Sequence, residues 1–488
     1  MSKRWDLIVV GSGFGGSLLS MMARRLGLSV VMIEKGAHPR FAIGESTTPL
    51  SNLLLEEIAE RYDLPRLKPL TKWGTWQKTH PELPCGLKRG FSFYPHPAVE
   101  GERPLLVAAS PNDAAADTHW YRTDFDHFLL KEAQAMGVEY VDRTALSSLR
   151  ETADGVEMDG FRGRFLVDAS GPRGFVHRAL GLGEREFPGY PKTQALYSHF
   201  SNVESMGGEP GMPYPPDDAA LHHVFDGGWI WVLRFNNGLT SAGVAATDGV
   251  AEQFGFAEGA RAWDRLLDAL PAVKAQFADA KAELPFFHMP RLSFWTSAMA
   301  GRHWAMLPSA AGFIDPLLST GFPLTLFGVA RLGEMLAAGD WDPDAYSART
   351  SAELCATARL IGALYGSMGD FPQFARVSLL YFAAASFAET ARRLDRKELA
   401  SSFLLCGDPV FGPASAQLCE RVMRGEQVTE ADVFRVIEEF DVAGLCRRDR
   451  RNWYPVDAAD LLEASAKLGA SESEIRRLLD RAGFRIEC

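Results

Sequence analysis

Asp6–Lys35 reads DLIVVGSGFGGSLLSMMARRLGLSVVMIEK, and this stretch decides the fold. A short apolar run, Leu7 to Val10, ends in Gly11-Ser12-Gly13-Phe14-Gly15-Gly16. A helical pattern follows, with Leu18, Leu19, Met22 and Leu26 spaced to cover one face. A second apolar run, Val30 to Ile33, ends on Glu34-Lys35. The order is strand, glycine turn, helix, strand, acid. In such a unit the first glycine permits the tight turn and the second lets backbone approach a pyrophosphate. The third lets helix and strand pack closely. The helix N-terminus offers unpaired N–H groups and a positive dipole end to phosphate. Glu34, eighteen residues beyond Gly16, suits the hydroxyls of an adenosine ribose. The expectation is an α/β, Rossmann-like unit for a dinucleotide, against the alternative of a glycine-rich turn in an ordinary α/β unit.

The chain has 488 residues, 47% of them apolar, enough for two or three lobes with large cores. Its 51 basic and 62 acidic residues leave a net charge of −11, which argues against a nucleic-acid partner. Six cysteines (Cys85, Cys355, Cys406, Cys419, Cys446 and Cys488) are scattered without a CxxC pair. That speaks against a disulfide framework or a zinc site and fits a reducing cytoplasm. The first strand begins almost at the N-terminus and leaves no room for a signal peptide. The longest apolar-looking run, Val377–Ala388, is too short to span a bilayer. A cytoplasmic protein with no membrane partner is expected.

Beyond Glu34, the segment His38 to Pro49 reads as a loop and then a helix with Pro49 in its first turn. Arg40, Gly44, Glu45 and Ser46 would lie beside whatever the glycine turn holds. In Pro81–Pro97, prolines bracket a strand-like core, Leu87–Tyr94. Alternation puts Leu87, Arg89, Phe91 and Phe93 on one side and Lys88, Gly90, Ser92 and Tyr94 on the other. Lys88 then faces a cavity wall or solvent, and the pattern alone favours solvent. Arg122 precedes a helix that Thr123 or Asp124 can cap, within reach of an anionic ligand. Asp168-Ala169-Ser170-Gly171 closes a strand, where an acid and a glycine turn meet ligand in a doubly wound sheet or simply make a turn. Gln194–Phe200, Leu221–Phe225, Trp229–Phe235 and Leu239–Ala246 are β-like and form a meander that would cover the ligand. Ser319, Thr320 and Gly321 lie just before a helix N-terminus, a suitable place for an anion. The remainder is helical in pattern, closing on a capping box at Ser471 and a helix over Ser473–Phe484. No second GxGxxG with strand–helix context appears, so a separate nicotinamide unit is not expected.

Gly11–Gly16, Glu34, Arg122 and Asp168–Gly171 together resemble the p-hydroxybenzoate-hydroxylase-like FAD superfamily. Three stretches narrow this to the flavin-dependent halogenases. Arg40 to Ser46 looks like their segment after the second strand. Gly228-Trp229-Ile230-Trp231-Val232-Leu233-Arg234 resembles their GWxWxIP signature, and Phe313 to Gly321 matches FxxPxxSxG in full. Cys85 to Phe93 resembles the lysine-bearing strand of the phenol-type members, the phloroglucinol halogenase among them. The likeness runs to about residue 330. It implies three parts: an FAD-binding domain from 1–190 and 286–335, a β-sheet substrate-side domain from 191–285, and a helical domain from 336–488.

The resemblance also implies a chemistry. FAD would be held by the glycine turn with Phe14, by Glu34-Lys35, by the 40–46 segment, and by Arg122, Asp168, Gly171, Asp315 and Gly321. Reduced by a separate flavin reductase, it would activate O2 to convert chloride or bromide, bound at Ser319, Thr320 and Gly321, into hypohalous acid. Lys88 would activate or carry the halogen to an electron-rich aromatic of secondary metabolism. Its amine and the 319–321 loop would open onto opposite ends of one sealed passage. Trp229 and Trp231 would discourage monooxygenase use of the activated oxygen.

Two positions depart from the family pattern. Leu318 stands where the tryptophan-type enzymes carry a glutamate, which favours a phenol over an indole. Leu233-Arg234 replaces Ile-Pro, which leaves an aromatic hydroxylase of the same fold as the rival and would loosen the strand edge. A flavin-binding protein without oxygen chemistry is the third reading. His96, His119, His222 and His223 are the candidates for deprotonating a phenol. A monomer or homodimer is expected, and no metal.

Overall fold

The computed structural model describes residues 3–98, 100–482 and 484, so Cys488 lies outside the described residues. The opening run folds as β1 (Trp5–Val10), α1 (Phe14–Arg25) and β2 (Val30–Ile33). Leu7 to Val9 and Val30 to Ile33 are buried on both faces, as parallel strands sandwiched by helices require. α2 (Pro49–Arg61) starts at Thr48, whose hydroxyl accepts the Ser51 N–H. Then come β3 (Cys85–Lys88), β4 (Gly90–His96), β5 (Leu105–Ala108) and β6 (Asp117–Trp120). α3 (Arg122–Ala135) has Tyr121 at its cap position with no side-chain cap, so neither Thr123 nor Asp124 caps it. Arg122 pairs with Asp126 one turn on, which draws residue 122 itself into the first turn.

The next strands are β7 (Glu139–Val141), β8 (Phe161–Asp168), β9 (Thr193–Ser201), β10 (Ala220–Phe225), β11 (Gly228–Arg234), β12 (Thr240–Thr247) and β13 (Trp304–Met306). Three long helices follow: α4 (Gly321–Ala338), α5 (Pro343–Tyr365) and α6 (Phe371–Arg393). None of the described helices is long and apolar enough to cross a membrane. The last helix, expected over Ser473–Phe484, runs Glu472–Arg481 behind a capping box of Ser471 and Glu474. Gly483, inside that expectation, lies outside the described residues.

One sheet has a parallel centre in the order β13-β8-β1-β2-β7, with short antiparallel strands added at Ala300–Gly301 and Val156–Met158. Its order reverses between β1 and β8, the crevice where open α/β sheets bind ligands. The second sheet carries β9-β12-β11-β10-β4-β5. Its expected strands between 193 and 247 are found, no end moving by more than one residue. β10 through β12 form the meander, and β9 joins on the far side of β12. Alternation and glycine turns specify those hairpins locally, whereas β4, running parallel to β10, comes from far upstream.

The continuous strand read over Leu87–Tyr94 is two strands. β3 pairs with β6, while β4 pairs with β5 and β10. The break is at Arg89, whose N–H is taken by the Asp218 carbonyl at 2.6 Å. Alternation therefore does not carry from residue 88 to residue 91. α4 starts beside the parallel sheet, and Arg331 on it makes a buried ion pair with Glu353 of α5, Nη2 donating to both carboxylate oxygens.

Candidate active site

The turn after β1 is held against the turn after β8. Gly11 adopts φ of +100°, and a methyl group there would lie 2.5 Å from the Ala169 carbonyl oxygen. One at Gly16 would lie 2.1 Å from the Gly11 carbonyl, so only glycine permits this approach. Gly13 caps α1 with no side chain bonded to the helix amides. The position a methyl would take at Gly13 faces Nη2 of both Arg122 and Arg40, at 3.6 and 3.8 Å, with Asp126 Oδ2, the Arg122 partner, also at 3.6 Å. Phe14 packs on Phe322 and carries the Arg122 guanidinium 5.0 Å above its ring.

Glu34 is buried at the end of β2. Its carboxylate accepts the Ser12 and Gly36 N–H groups and the Ser12 hydroxyl, and pairs with Arg40 at 3.3 Å. Burial works to raise this carboxyl, and Arg40 with those amides overcomes it, holding it below its ordinary value. Lys35 is exposed. Arg122 spends most of its donors within the protein: two on Asp126 at 2.7 Å, and Nη1 on the Gly44 and Ile43 carbonyls. It thereby clamps the 43–46 segment to α3. Asp168 turns inward, accepting the Ser170 amide and hydroxyl and the Val176 amide, so it shapes the turn that Gly171 completes.

A cavity of about 360 Å³ runs from Gly13 and Arg122 past Gly171 to Trp229, Asp315 and Gly321. At its far end Leu318 and Ser319 adopt left-handed backbone, with φ of 61° and 55°. This strained pair turns the chain sharply into α4. Asp315 anchors the same loop: it accepts the Leu317 N–H, the Trp229 indole at 3.2 Å and the Tyr365 hydroxyl at 2.8 Å. Burial pushes its carboxyl up to about 6 against those donors. Trp229 and Trp231 line the cavity side by side, ring centroids 5.7 Å apart. Arg234 does not leave its strand loose. It pairs with Asp217 at 2.8 Å and donates to the Val203 carbonyl, replacing the missing proline with a brace.

Lys88 is fully buried, at 0% exposure, and not solvated as its strand pattern favours. The break at Arg89 turns it inward. Nζ donates to Ser46 Oγ at 2.8 Å, to the Thr47 carbonyl, and to Ser319 Oγ at 3.4 Å. It also lies 3.8 Å from the centre of the Phe91 ring. The amine and the 319–321 loop are thus in contact, not at opposite ends of a passage. Ser46 and Ser319 form the cavity wall, and the amine sits directly behind them. Burial pushes the amine from 10.5 down to about 7, with Asp117 working the other way.

Burial also lowers the four histidines, His96 to about 4, His222 and His223 to about 3, and His119 well below its usual value. All four are neutral near pH 7, and His222 lines the cavity. Its Nδ1 faces the Ser92 carbonyl at 3.2 Å. Asp117, Tyr365 and the Thr47 carbonyl were not singled out from sequence. They come from remote segments, and only the β3–β6 pairing and α5 bring them in.

The model of the family described as "Tryptophan halogenase" matches residues 112–367, more than half of the chain. The chain belongs to the tryptophan halogenase family. Within this halogenase-family chain the matched span includes Arg122, Asp168, both cavity tryptophans and the Ser319 loop, while Lys88 and the glycine turn precede it. Monodechloroaminopyrrolnitrin halogenase PrnC of Pseudomonas fluorescens is 29% identical over 71% of this chain and 64% of its own. Tetracycline 7-halogenase of Kitasatospora aureofaciens is 28% identical over 66% of this chain and 61% of its own. The chain thus spans under two thirds of the length of these relatives. The crystal structure of halogenase PltM in complex with phloroglucinol and FAD has the same fold. Its TM-score is 0.78 at 24% identity, covering 92% of this chain and 99% of that one.

Proposed function

We propose that this chain is an FAD-dependent halogenase that installs chlorine or bromine on a phenol or similarly electron-rich aromatic. Support for FAD comes from the cradle itself: the opposed turns at Gly11 and Ala169, a glycine facing two arginines, and an ionised Glu34 at the ribose position. Gly13, Arg40 and Arg122 would hold the pyrophosphate, Glu34 the ribose, and the cavity between Gly44 and Gly321 the ring. Reduced by a separate flavin reductase, FAD would supply the two-electron activation of O2 that oxidises a halide to hypohalous acid.

The chain's own residues do the rest. The first turn of an α-helix leaves amides without partners in the helix. Those of the Thr320–Gly321 turn, at the positive end of an 18-residue helix, suit a halide. A methyl group at Gly321 would meet nothing within 4 Å, so there is room beside that backbone. Leu318 offers no carboxylate, which leaves the lysine as the activating group. As an ammonium behind the cavity wall, Lys88 would act on the halogen-bearing oxygen through the Ser46 and Ser319 hydroxyls that it bonds, passing a proton toward that oxygen and withdrawing charge from it. Trp229 and Trp231, buried and lining the cavity, would keep water from it. Neutral His222 can accept a hydrogen bond from a phenol without competing for Lys88's proton.

The observation that carries this reading is the buried Lys88 amine 3.4 Å from Ser319, the loop that would hold the halide. The test is product analysis with flavin reductase, NADH, O2, bromide or chloride, and a panel of phenols. Halogenated product that disappears in Lys88→Ala, with FAD binding retained, is expected. Hydroxylated product indifferent to halide would replace halogenation by aromatic hydroxylation.

A further inference from the structure

Lys88 on β3 stands directly opposite Asp117 on β6 in an antiparallel pair, so both side chains rise from one face. Asp117 is buried, and neither the dinucleotide cradle nor the halide loop uses it. Its Oδ1 accepts the Asn52 amide at 2.8 Å and lies 3.5 Å from Lys72 Nζ. Its Oδ2 is buried without any hydrogen-bond partner. A carboxylate left half satisfied in an apolar setting is costly. The same Asn52 amide also donates to Thr47 Oγ1, at 3.0 Å. The carbonyl of that threonine accepts a hydrogen bond from Lys88 Nζ. One side chain therefore ties the carboxylate to the segment that grips the amine. Lys72, 25% exposed at its side chain, links the cluster to solvent.

We propose that Asp117 is a positioning residue for Lys88: its carboxylate, directly across the strand pair, supplies the counter-charge that favours the ammonium form of the buried amine. This rests on the reading of Lys88 as the halogen-activating group. The acceptors on Ser46, Thr47 and Ser319 and the Phe91 ring favour the charged amine, but none of them carries a negative charge. Burial opposes that charge, and His119 of β6 and His222 of β10 face it with no negative charge to offer. Around Asp117 stand Lys72, and from α6 Tyr381, Glu389 and Arg393. Burial raises the Asp117 carboxyl above its ordinary value, while Lys72, Asn52 and Lys88 itself pull it back toward the ionised form that Lys88 needs. Without it, fewer molecules would carry the proton that the halogen-bearing oxygen must receive.

The test titrates Lys88 in the full chain with oxidised FAD added, following the ¹³Cε resonance of labelled lysine and assigning it with Lys88→Met. Asp117→Asn is expected to move the midpoint of Lys88 to lower pH by about one unit, and Asp117→Glu to restore it. An unchanged midpoint overturns the proposal. A second measurement needs no Asp117 variant: the ¹³Cγ resonance of Asp117 in the wild type should show an inflection at the midpoint of Lys88, absent in Lys88→Met. No inflection also overturns it. In halogenation assays the limb of the pH profile that reports the ammonium should move with the midpoint. If Lys88→Ala halogenates normally, the role of Lys88 fails while the titration still judges Asp117. If Lys88→Ala is inactive and the midpoint ignores Asp117, only the role of Asp117 fails.

Discussion

Lys88→Met replaces a buried amine by an apolar chain of similar length, and its effect on stability has a calculable pH dependence. Burial brings the folded-state amine from 10.5 to about 7. In the unfolded chain the same lysine keeps its proton to about pH 10. Between about pH 7 and pH 10 the unfolded state therefore binds more protons, and stability rises with pH across that window. The methionine variant has no such term. From pH 7 to pH 9 the wild type should gain about 2 kcal/mol relative to the variant. The unfolding entropy of a chain this long converts that into about 2 °C of melting temperature. At pH 7 the variant should be no less stable than the wild type. Relief of roughly 4 kcal/mol of unfavourable deprotonation outweighs the roughly 1–3 kcal/mol of leaving the acceptors on Ser46 and Thr47 unpaired. Thermal unfolding of both proteins across pH 6–9 measures this, since titrations of groups not coupled to Lys88 cancel in the difference. A melting-temperature difference that stays constant from pH 7 to pH 9 would mean an ordinary solvated amine at position 88 and refute the reasoning.

Gly16→Ala places a methyl group 2.1 Å from the Gly11 carbonyl and must displace the turn. FAD affinity should fall at least about tenfold in a flavin absorbance titration, and unchanged affinity would remove this turn from the cofactor site. Trp229→Phe deletes the indole donor to Asp315. The halide loop should loosen, raising the KM for bromide by about threefold, on the scale of one hydrogen bond, while FAD affinity holds. An unchanged KM for bromide would separate Asp315 from halide binding. Arg331→Leu leaves Glu353 buried without its partner. A cost of about 3–5 kcal/mol is expected in thermal unfolding, and a loss of under about 1 kcal/mol would show that water already solvates the pair.

The parts legible in sequence are those whose information is local. The glycine turn, the acid at Glu34, the hairpins between 193 and 247 and the capping box at Ser471 each sit within a few residues of the contacts they make. The direction of Lys88 was not legible. It depends on a strand break at Arg89, fixed by a carbonyl at Asp218 that the chain reaches only after passing through the parallel sheet. The same holds for Asp117, whose pairing with β3 joins segments separated by β4 and β5. Arg122 reads as a ligand contact, and the structure adds that Asp126 one turn on takes two of its donors, so only part of its guanidinium faces the cavity. The departures at Leu233-Arg234 and Leu318 were visible, yet only the structure supplies the Asp217 brace and the left-handed backbone that give them their place.

The claim that a buried amine directs the oxidised halogen is tested most directly by single-turnover bromination in the presence of a scavenger for free hypobromous acid. The wild type should brominate the phenol while the scavenger captures little. Lys88→Met, reduced by the same reductase and binding FAD as tightly, should deliver its hypobromous acid to the scavenger and leave the phenol unmodified. Bromination of the phenol by Lys88→Met at the wild-type rate, with the scavenger present, would contradict it.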